Sequence, residues 1–223
     1  MKITYIGHAC ILIETQGRAI LTDPYISQNP KRGLGLDRLP SITDVLLTHG
    51  HGDHTGDVVQ IAKKYGCRII APVELAARLS SGKVKAHPMN FGSREFEFGR
   101  LTMVPASHSS SETENGNVIY LGNPCGYVIR SGSKSVYFAG DTGLISDMSL
   151  LADEGLDAAF LPAGGNFTMD PEDAVKARRL IKARITVPIH YNTFPLATLR
   201  AEQLELLERE GFTMLRPGEA ITL

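Results

Sequence analysis

The segment THGHGDHTGD, residues 48–57, places three histidines and two aspartates within ten positions. Histidine is scarce elsewhere, because the chain of 223 residues has only seven. The apolar run DVLLTH, residues 44–49, leads into the segment and is typical of a buried strand. Imidazole and carboxylate groups together favour Zn, Mn or Fe over soft metals. The segment therefore predicts a metal site where a strand ends.

Residues elsewhere in the chain must complete such a site, because four contiguous residues do not hold a metal alone. Three candidates each follow an apolar run and precede a glycine or a polar turn. They are His108 in VPASH, Asp141 in YFAGD and His190 in VPIH. One such residue could arise by chance, but three of them together with HxHxDH make chance a poor explanation.

The order of the predicted elements indicates the fold class. Each half of the chain begins with short apolar β runs and continues with helices, and no linker divides the halves. We predict helices over 57–65, in VELAARLS, from Asp170 to about residue 184, and over 199–210, and two closing strands in FTMLRPGEAITL. This pattern predicts an α/β fold, with two mixed sheets packed face to face and helices outside, formed by residues 1–223 as one domain.

Two segments are rich in Gly, Asn and Pro and are predicted as long loops, Ser27 to Pro40 and Ser109 to Pro124. Loops of this length in a compact domain are usually functional or mobile. We expect substrate specificity to be determined there, although their composition names no substrate.

Charge and cysteine content exclude some classes of function. The net charge of −1 gives no sign of a polyanionic partner, since nucleic-acid binders usually carry a basic surplus. Three separated cysteines without a CxxC pair fit a reducing compartment. The start MKITYIGHACILIE lacks a signal-peptide layout, and no apolar stretch approaches membrane-spanning length. We expect a cytoplasmic protein acting on a small molecule, without nucleic-acid or membrane partners, and compatible with a homo-oligomer.

The segment THGHGDH resembles the signature of the metallo-β-lactamase superfamily. His108, Asp141 and His190 match its remaining ligand motifs in order and approximate spacing, and Asp23 in ILTDP matches its first motif. The stretches YIGHACILIE and GGNFTMD resemble one branch more particularly. That branch contains poorly characterised metal-dependent hydrolases related to L-ascorbate-6-phosphate lactonase and N-acyl-phosphatidylethanolamine phospholipase D. The likeness extends over essentially the whole chain.

This resemblance implies a four-layer αββα sandwich with a two-metal site along one edge. The implied ligands are His49, His51 and His108 for the first metal, Asp53, His54 and His190 for the second, and Asp141 as the bridge. The β-lactam-hydrolysing members have a cysteine near the place of Asp141, whereas no cysteine of this chain lies in a ligand motif. The pattern agrees with the lactonase, glyoxalase and phosphodiesterase members. Flavo-diiron proteins have glutamate in place of His51, so a redox role is disfavoured.

The implied activity is hydrolysis by a hydroxide held between two divalent metal ions, with Zn²⁺ preferred over Mn²⁺ or Fe²⁺. Zinc-bound water reaches a pKa of about 7, so a nucleophile exists at neutral pH without Ser or Cys. Asp53 is the residue expected to orient that water or to transfer its proton. The expected substrate is a small molecule with an ester, lactone or phosphate group.

Some residues have two interpretations at this point. His8 is a catalytic candidate that could meet the substrate or leaving group, or a buried core histidine. Asp23 could fix a ligand histidine from behind the metals, or be a turn residue. The basic pair at 31–32 could meet an anionic substrate or be solvated. Asn166 and Thr168 could line the pocket or build the turn before the predicted helix.

Two other functions remain open from the sequence. The first is a phosphodiesterase or nuclease with the same dinuclear site, which the neutral charge and the lack of a basic arm disfavour. The second is a non-catalytic metal-binding protein. The full set of ligand positions argues against it, because a binding module does not need a bridging carboxylate.

Overall fold

The computed structural model describes residues 1–82 and 84–223. The strands within these residues are β1 (Lys2–Gly7), β2 (Cys10–Thr15), β3 (Arg18–Thr22), β4 (Asp44–Leu46), β5 (Arg68–Pro72), β6 (Ala86–Met89), β7 (Gly92–Phe96), β8 (Gly99–Pro105), β9 (Ser111–Glu114), β10 (Asn117–Tyr120), β11 (Cys125–Ser131), β12 (Lys134–Phe138), β13 (Ala158–Pro162), β14 (Ile185–Ile189) and β15 (Ala220–Thr222). The α-helices there are α1 (Gly52–Thr55), α2 (Val58–Tyr65), α3 (Val73–Ser81), α4 (Pro171–Ile181) and α5 (Ala201–Arg209). Short 3₁₀ turns lie at Leu36–Arg38, Ser146–Glu154 and Pro195–Ala197.

The strands form two large sheets. Sheet A has the order β15-β1-β2-β3-β4-β5-β6, and sheet B has the order β14-β13-β12-β11-β8-β7. Strands β9 and β10 pair only with each other, as a separate hairpin, within the described part of the chain. Both large sheets mix parallel and antiparallel pairs, with β3-β4-β5-β6 parallel in sheet A and β12-β13-β14 parallel in sheet B.

Alternating side chains of sheet A enter two different cores, because successive residues of a strand point to opposite faces. In β2, Ile11 and Ile13 are buried in a central core that also contains residues of sheet B. Their neighbours Cys10 and Leu12 are buried on the opposite face. There they join a second core with apolar residues of α2 and α3, so these helices cover the outer face of sheet A.

Sheet B is built in the same way. In β11, Tyr127 and Ile129 point into the central core, whereas Val128 between them points outward. Val128 belongs to a third core that includes Ala174 of α4 and Leu207 of α5. The layers are therefore helices, sheet A, sheet B and helices, and the predicted four-layer αββα sandwich is confirmed.

Several predicted boundaries need correction. The loop predicted over 109–124 contains the β9–β10 hairpin, which turns at Asn115 and Gly116, both with positive φ. None of its strand residues is fully buried, so they gave no buried alternation to detect. Of the two closing strands, only Ala220–Thr222 forms. The described segment over 212–216 makes a single backbone hydrogen bond to the neighbouring β14, from Thr213 N–H to the carbonyl of Thr186 at 2.8 Å, which is too few for a ladder.

The predicted helices are present; α2, α4 and α5 are shorter than predicted, whereas α3 extends one residue beyond VELAARLS, to Ser81. Asp170 accepts a hydrogen bond from the backbone N–H of Asp173 at 2.8 Å and caps α4, as its sequence position predicts. Helix α4 ends at Ile181 instead of about residue 184, since Lys182 adopts a left-handed conformation. No helix of the described residues is long and apolar enough to cross a membrane.

The strand directions explain why distant residues meet. In sheet A, β1, β3 and β4 run the same way, and in sheet B β8, β12 and β14 share a direction. Each of these strands is followed by one or more of the predicted site residues. The predicted site residues therefore leave each sheet at one edge, and the 5.0 Å separation of the His49 and His108 rings shows that the two edges meet.

Candidate metal centre

Three histidines form the first of two clusters. His49 and His51 follow β4, and His108 follows β8, so the cluster draws on both sheets. One ring nitrogen of each residue lies within 4.8 Å of the others. His49 Nε2 and His51 Nδ1 are 3.0 Å apart, and the ring of His108 is nearly perpendicular to both of the other rings. Three imidazoles facing one point form a nitrogen donor set suited to Zn, Cu, Fe or Ni.

A second cluster lies beside the first. Asp53 and His54 belong to α1, and His190 follows β14. Asp53 Oδ2 lies 3.7 Å from His190 Nε2 and 4.0 Å from His54 Nε2. His8 belongs to the same group, with its Nε2 3.1 Å from Asp53 Oδ2. Mixed imidazole and carboxylate donors fit Zn, Mn or Fe.

Asp141 lies between the two clusters. Its Oδ1 is 3.3 Å from His54 Nε2, and its Oδ2 is 3.1 Å from His190 Nε2, both in the second cluster. The same Oδ2 is 3.6 Å from His108 Nε2 in the first cluster. A single carboxylate thus faces both donor sets.

Unpartnered buried atoms test whether these residues fit a metal. His54 Nε2, His190 Nε2 and Asp141 Oδ1 are buried and have no hydrogen-bond partner among the described residues. Buried polar atoms without partners are rare and costly, at about 1–3 kcal/mol each. All three atoms converge on the same space, and each has a lone pair that a cation would bind. The donor set therefore fits divalent metal ions.

Charge interactions within the clusters oppose the effect of burial. Burial alone would favour a neutral Asp141, but His54 and His190 hold the pKa of its carboxyl well below the ordinary value. Burial is likewise outweighed at His190, whose pKa rises to about 9 because the negative charge of Asp141, together with the nearby Asp53, favours the protonated ring. Burial lowers the pKa of His49 well below its usual range. Metal binding at such a site would release the extra proton that His190 holds, whereas His49 is already neutral.

Asp23 supports the site from behind. Its Oδ2 is 2.8 Å from His54 Nδ1, and its two oxygens accept from the backbone N–H and the hydroxyl of Thr48 at 2.8 and 2.7 Å. The carboxylate therefore directs His54 Nε2 towards the cluster, as partners of metal-bound histidines do. The sequence did not single out Thr48, whose hydroxyl also lies 3.0 Å from His49 Nδ1.

His8 has a protein partner on each ring nitrogen. Nε2 faces Asp53, and Nδ1 lies 3.1 Å from the hydroxyl of Thr193. Burial lowers the pKa of His8 to about 4, although the hydrogen bond to Asp53 opposes that shift. Sequence reasoning missed Thr193, because nothing in the pattern links positions so far apart. These contacts place His8 behind Asp53, not in the open part of the site.

Three site residues have a left-handed backbone. The φ angles of His8, Asp23 and His190 are 57°, 33° and 55°. Each of them directly follows a strand, so the turn ends the ladder and swings the side chain towards the common edge. Non-glycine residues rarely adopt this conformation, and such strain concentrates at functional sites.

A cavity of about 680 Å³ opens over the clusters. Its lining combines cluster residues and Ser109 with an apolar wall of Phe167, Phe194, Pro195 and Leu196. The sequence offered no periodic signal for this wall, since its residues come from two irregular loops. Of the pair considered as pocket-lining, neither Asn166 nor Thr168 lines the cavity, whereas Phe167 between them does.

Other candidate residues lie elsewhere. The Arg32 guanidinium donates to the carbonyl oxygens of Ser27 and Asn29 in its own loop, and neither Lys31 nor Arg32 lines the cavity. The three cysteines are outside both clusters. Cys125, for example, is buried and directs its thiol to the carbonyl of Thr48 at 3.3 Å.

The sandwich and the paired clusters at its edge define a metallo-β-lactamase-type fold with a candidate metal centre. A model of the β-lactamase superfamily domain matches residues 18–191. A UPF0173 metal-dependent hydrolase of Geobacillus sp. (strain WCH70) is 47% identical over 100% of both chains. A second, from Bacillus cereus (strain ATCC 10987 / NRS 248), is 46% identical over 100% of both. The chain therefore belongs to the UPF0173 family of metal-dependent hydrolases within this superfamily, which confirms the resemblance found in the sequence.

A solved structure agrees with this placement. Igni18, described as a novel metallo hydrolase from the hyperthermophilic archaeon Ignicoccus hospitalis KIN4/I, is 31% identical to this chain. The match has a TM-score of 0.89 and covers 100% of this chain and 97% of that one. The fold class is thus shared across bacterial and archaeal relatives.

Proposed function

We propose that this chain hydrolyses a small ester-, lactone- or phosphate-containing substrate with two divalent metal ions, Zn²⁺ before Mn²⁺ or Fe²⁺. The observation that carries the proposal is the convergence of two donor clusters with a carboxylate between them. In this proposal the ligands are His49, His51 and His108 for one ion, Asp53, His54 and His190 for the other, and Asp141 for both.

The bound ions would supply a water activated as a nucleophile at neutral pH and would polarise the scissile bond. The protein residues hold this chemistry in place. Asp53 is the acidic group best placed to accept a proton, because its side chain is 28% exposed and borders the cavity. Its pKa lies well below the usual range despite burial, since the nearby His190 ring and the hydrogen bond with His8 favour the charged form, so it is ionised at neutral pH.

His8 acts in this proposal as a positioning residue for Asp53. Thr193 holds Nδ1 at 3.1 Å and Nε2 faces the carboxylate, so the ring has no free nitrogen for a substrate. The buried side chain is also outside the cavity lining. The earlier alternative, direct contact with the substrate or leaving group, needs a ring nitrogen released from one of these partners.

Asp23 is proposed to select the tautomer of His54. With Nδ1–H donating to Asp23 at 2.8 Å, the lone pair of His54 lies on Nε2, which faces Asp141. Such carboxylate partners raise the basicity of a histidine ligand and fix its orientation. Loss of this partner would affect the second cluster more than the first.

Metal analysis and turnover together test the proposal. Protein purified without added metal would be analysed for Zn, Mn and Fe, then reconstituted with each ion and screened on lactones, carboxylic and thioesters, and phosphodiesters. About two ions per chain and metal-dependent turnover are expected. At most trace metal after reconstitution would refute the site. Full metal loading without turnover across all substrate classes would instead support the non-catalytic binding protein.

A further inference from the structure

We infer that the substrate carries an uncharged apolar group, aromatic or branched aliphatic, which lies against Phe167, Phe194 and Leu196 while its scissile bond faces the clusters. This inference rests on the hydrolase function proposed above. It assigns the part of the substrate that lies beyond the reacting bond.

The apolar wall belongs to the same cavity as the clusters. The volume of about 680 Å³ falls within the range of roughly 300–1,000 Å³ that is usual for small-molecule sites. Phe194 is fixed on one side of it, since its ring packs edge-on against His8 at 5.2 Å and lies 6.0 Å from Tyr25. A substrate that reaches the clusters must therefore pass along an aromatic and aliphatic surface.

Phe167 and Leu196 are exposed although both are large and apolar. Their exposed fractions are 48% and 66%, and both border the mouth of the cavity. Exposed apolar residues that gather at one place, next to polar groups, mark ligand or partner sites. Phe91 and Leu150 are similarly exposed, at 44% and 72%, but neither lines this cavity.

The loop that carries Phe167 is anchored to the site. Gly165 N–H donates to the carbonyl of Met169 at 3.0 Å, and Met169 N–H donates to the carbonyl of Thr142 at 3.0 Å. Thr142 directly follows Asp141, the carboxylate between the clusters. The position of the Phe167 loop is thus tied to that of the clusters.

The loop that carries Leu196 is fixed in a similar way. Asn192 N–H donates to the carbonyl of Ala197 at 2.7 Å, and its side-chain oxygen accepts from Leu199 N–H at 2.8 Å. This loop begins directly after His190 of the second cluster. The two loops that carry the apolar wall are therefore held in place before a ligand binds, which reduces the entropic cost of binding.

The charges in the cavity determine what the wall accepts. Among the described residues that line it, the ionisable groups are imidazoles and carboxylates, and neither Lys nor Arg is present. A phosphate or carboxylate on the distal part of a substrate would find no cation to pair with it, and anion sites normally provide one. A phosphate in the substrate would then have to lie at the clusters.

Hydroxamates test this inference without depending on turnover, because their head group chelates divalent metals. Binding to the metal-reconstituted protein would be measured by calorimetry for acetohydroxamate, 3-phenylpropionohydroxamate and succinic acid monohydroxamate. The phenyl compound should bind at least about 10-fold more tightly than acetohydroxamate, which is about 1.4 kcal/mol. The succinate compound, with an anionic tail, should bind no more tightly than acetohydroxamate.

Two matched pairs of variants locate the effect. Phe167→Ala and Leu196→Asn should reduce the affinity ratio of the phenyl compound over acetohydroxamate to near one. Phe91→Ala and Leu150→Asn remove residues of the same type and similar exposure away from the cavity, and they should keep the wild-type ratio.

The possible outcomes distinguish a failure of the proposed metal site from a failure of the inferred apolar group. If the reconstituted protein does not bind acetohydroxamate, the metal site and this inference both fail. If it binds acetohydroxamate but gains nothing from the phenyl tail, or prefers the succinate tail, the substrate class is wrong and the hydrolase proposal stands. A dimer that Leu196→Asn dissociates, with an unchanged affinity ratio, would assign the apolar wall to a second copy of the chain.

Discussion

His8 Nε2 and Asp53 Oδ2 lie 3.1 Å apart, although the two residues are 45 positions apart in the chain. The contact joins the end of β1 to α1, which carries two residues of the second cluster. Thr193, 185 positions from His8, fixes the other ring nitrogen. Thr193, His8 and Asp53 thus form a row of hydrogen-bonded side chains. This row determines the orientation of the Asp53 carboxylate, the most exposed carboxylate of the site.

The row predicts that replacing His8 impairs turnover more than metal binding. His8→Asn is the suitable variant, because Asn tolerates the left-handed backbone at φ 57° better than most residues but is too short to reach Asp53. Turnover should fall by about 10–100-fold, the usual effect of losing such a partner. Metal content, measured on the same sample, should stay near that of the wild type.

His8→Gln provides the check on this prediction. Its longer amide can donate to Asp53, so it should recover part of the lost turnover. Lower stability with unchanged specific activity in both variants would show that His8 only packs, and a drop in metal content would make it a ligand.

Asp23→Asn should weaken the second cluster and the fold together. An amide nitrogen would face the donors of Thr48 or His54, and a mismatch at a fully buried position costs about 1–3 kcal/mol. The affinity of the second metal should fall by about 10–100-fold. Competition with a chelator and denaturant unfolding measure the two effects.

Asp57→Asn is a matched control for that variant. Asp57 is also buried and accepts from Ile26 N–H and Ser27 N–H, both at 2.8 Å, but it contacts neither cluster. Its loss should reduce stability to a similar extent and leave metal affinity unchanged. If both variants lose metal alike, the effect of Asp23 is a general loosening of the fold.

Asp141→Asn should leave about one metal per chain instead of two. Asn is nearly isosteric but neutral, and its NH₂ group cannot coordinate. The first cluster retains its three histidines, whereas the second loses a charged donor that is 3.1 Å from His190. Turnover should fall by at least ~10²-fold, the scale of badly placed catalytic groups. Two retained metals with near-wild-type rates would refute the bridging role.

His51→Ala should lower both metal content and thermal stability. A cation that binds only the folded chain stabilises it by mass action, and loss of a ligand removes part of that gain. Thermal midpoints measured with and without chelator separate this from packing, since the chelator should lower the midpoint of the wild type more than that of the variant. An identical chelator response in both proteins would contradict the role of His51.

Much of the fold was readable because the central strands are continuous apolar runs that end at polar residues. DVLLTH and ITVPIH show both signals, and the structure places their last histidines in adjacent clusters. The β9–β10 hairpin was missed for the opposite reason. Val118 is 75% exposed there, and no buried alternation marks the strand.

The ligand candidates could be predicted as a set, since their order and approximate spacing match a known signature. The residues that surround them could not. The contact of His8 with Thr193 and the gathering of Phe167 with Leu196 depend on how loops from different strands approach each other. No local pattern encodes such distances. The hydrogen-bond partners of the site residues and the apolar wall of the cavity could therefore be identified only in the three-dimensional structure.

Each cluster takes donors from both sheets, with His49 and His51 leaving sheet A opposite His108 of sheet B, and with His54 opposite His190. A cation in either cluster would thus act as a cross-link that must break before the two layers separate. The bound cation would therefore change the rates of unfolding and refolding as well as the equilibrium stability. Chelation should accelerate unfolding in denaturant, measured by stopped-flow fluorescence, by more than it slows refolding, because the link closes only after the layers have met.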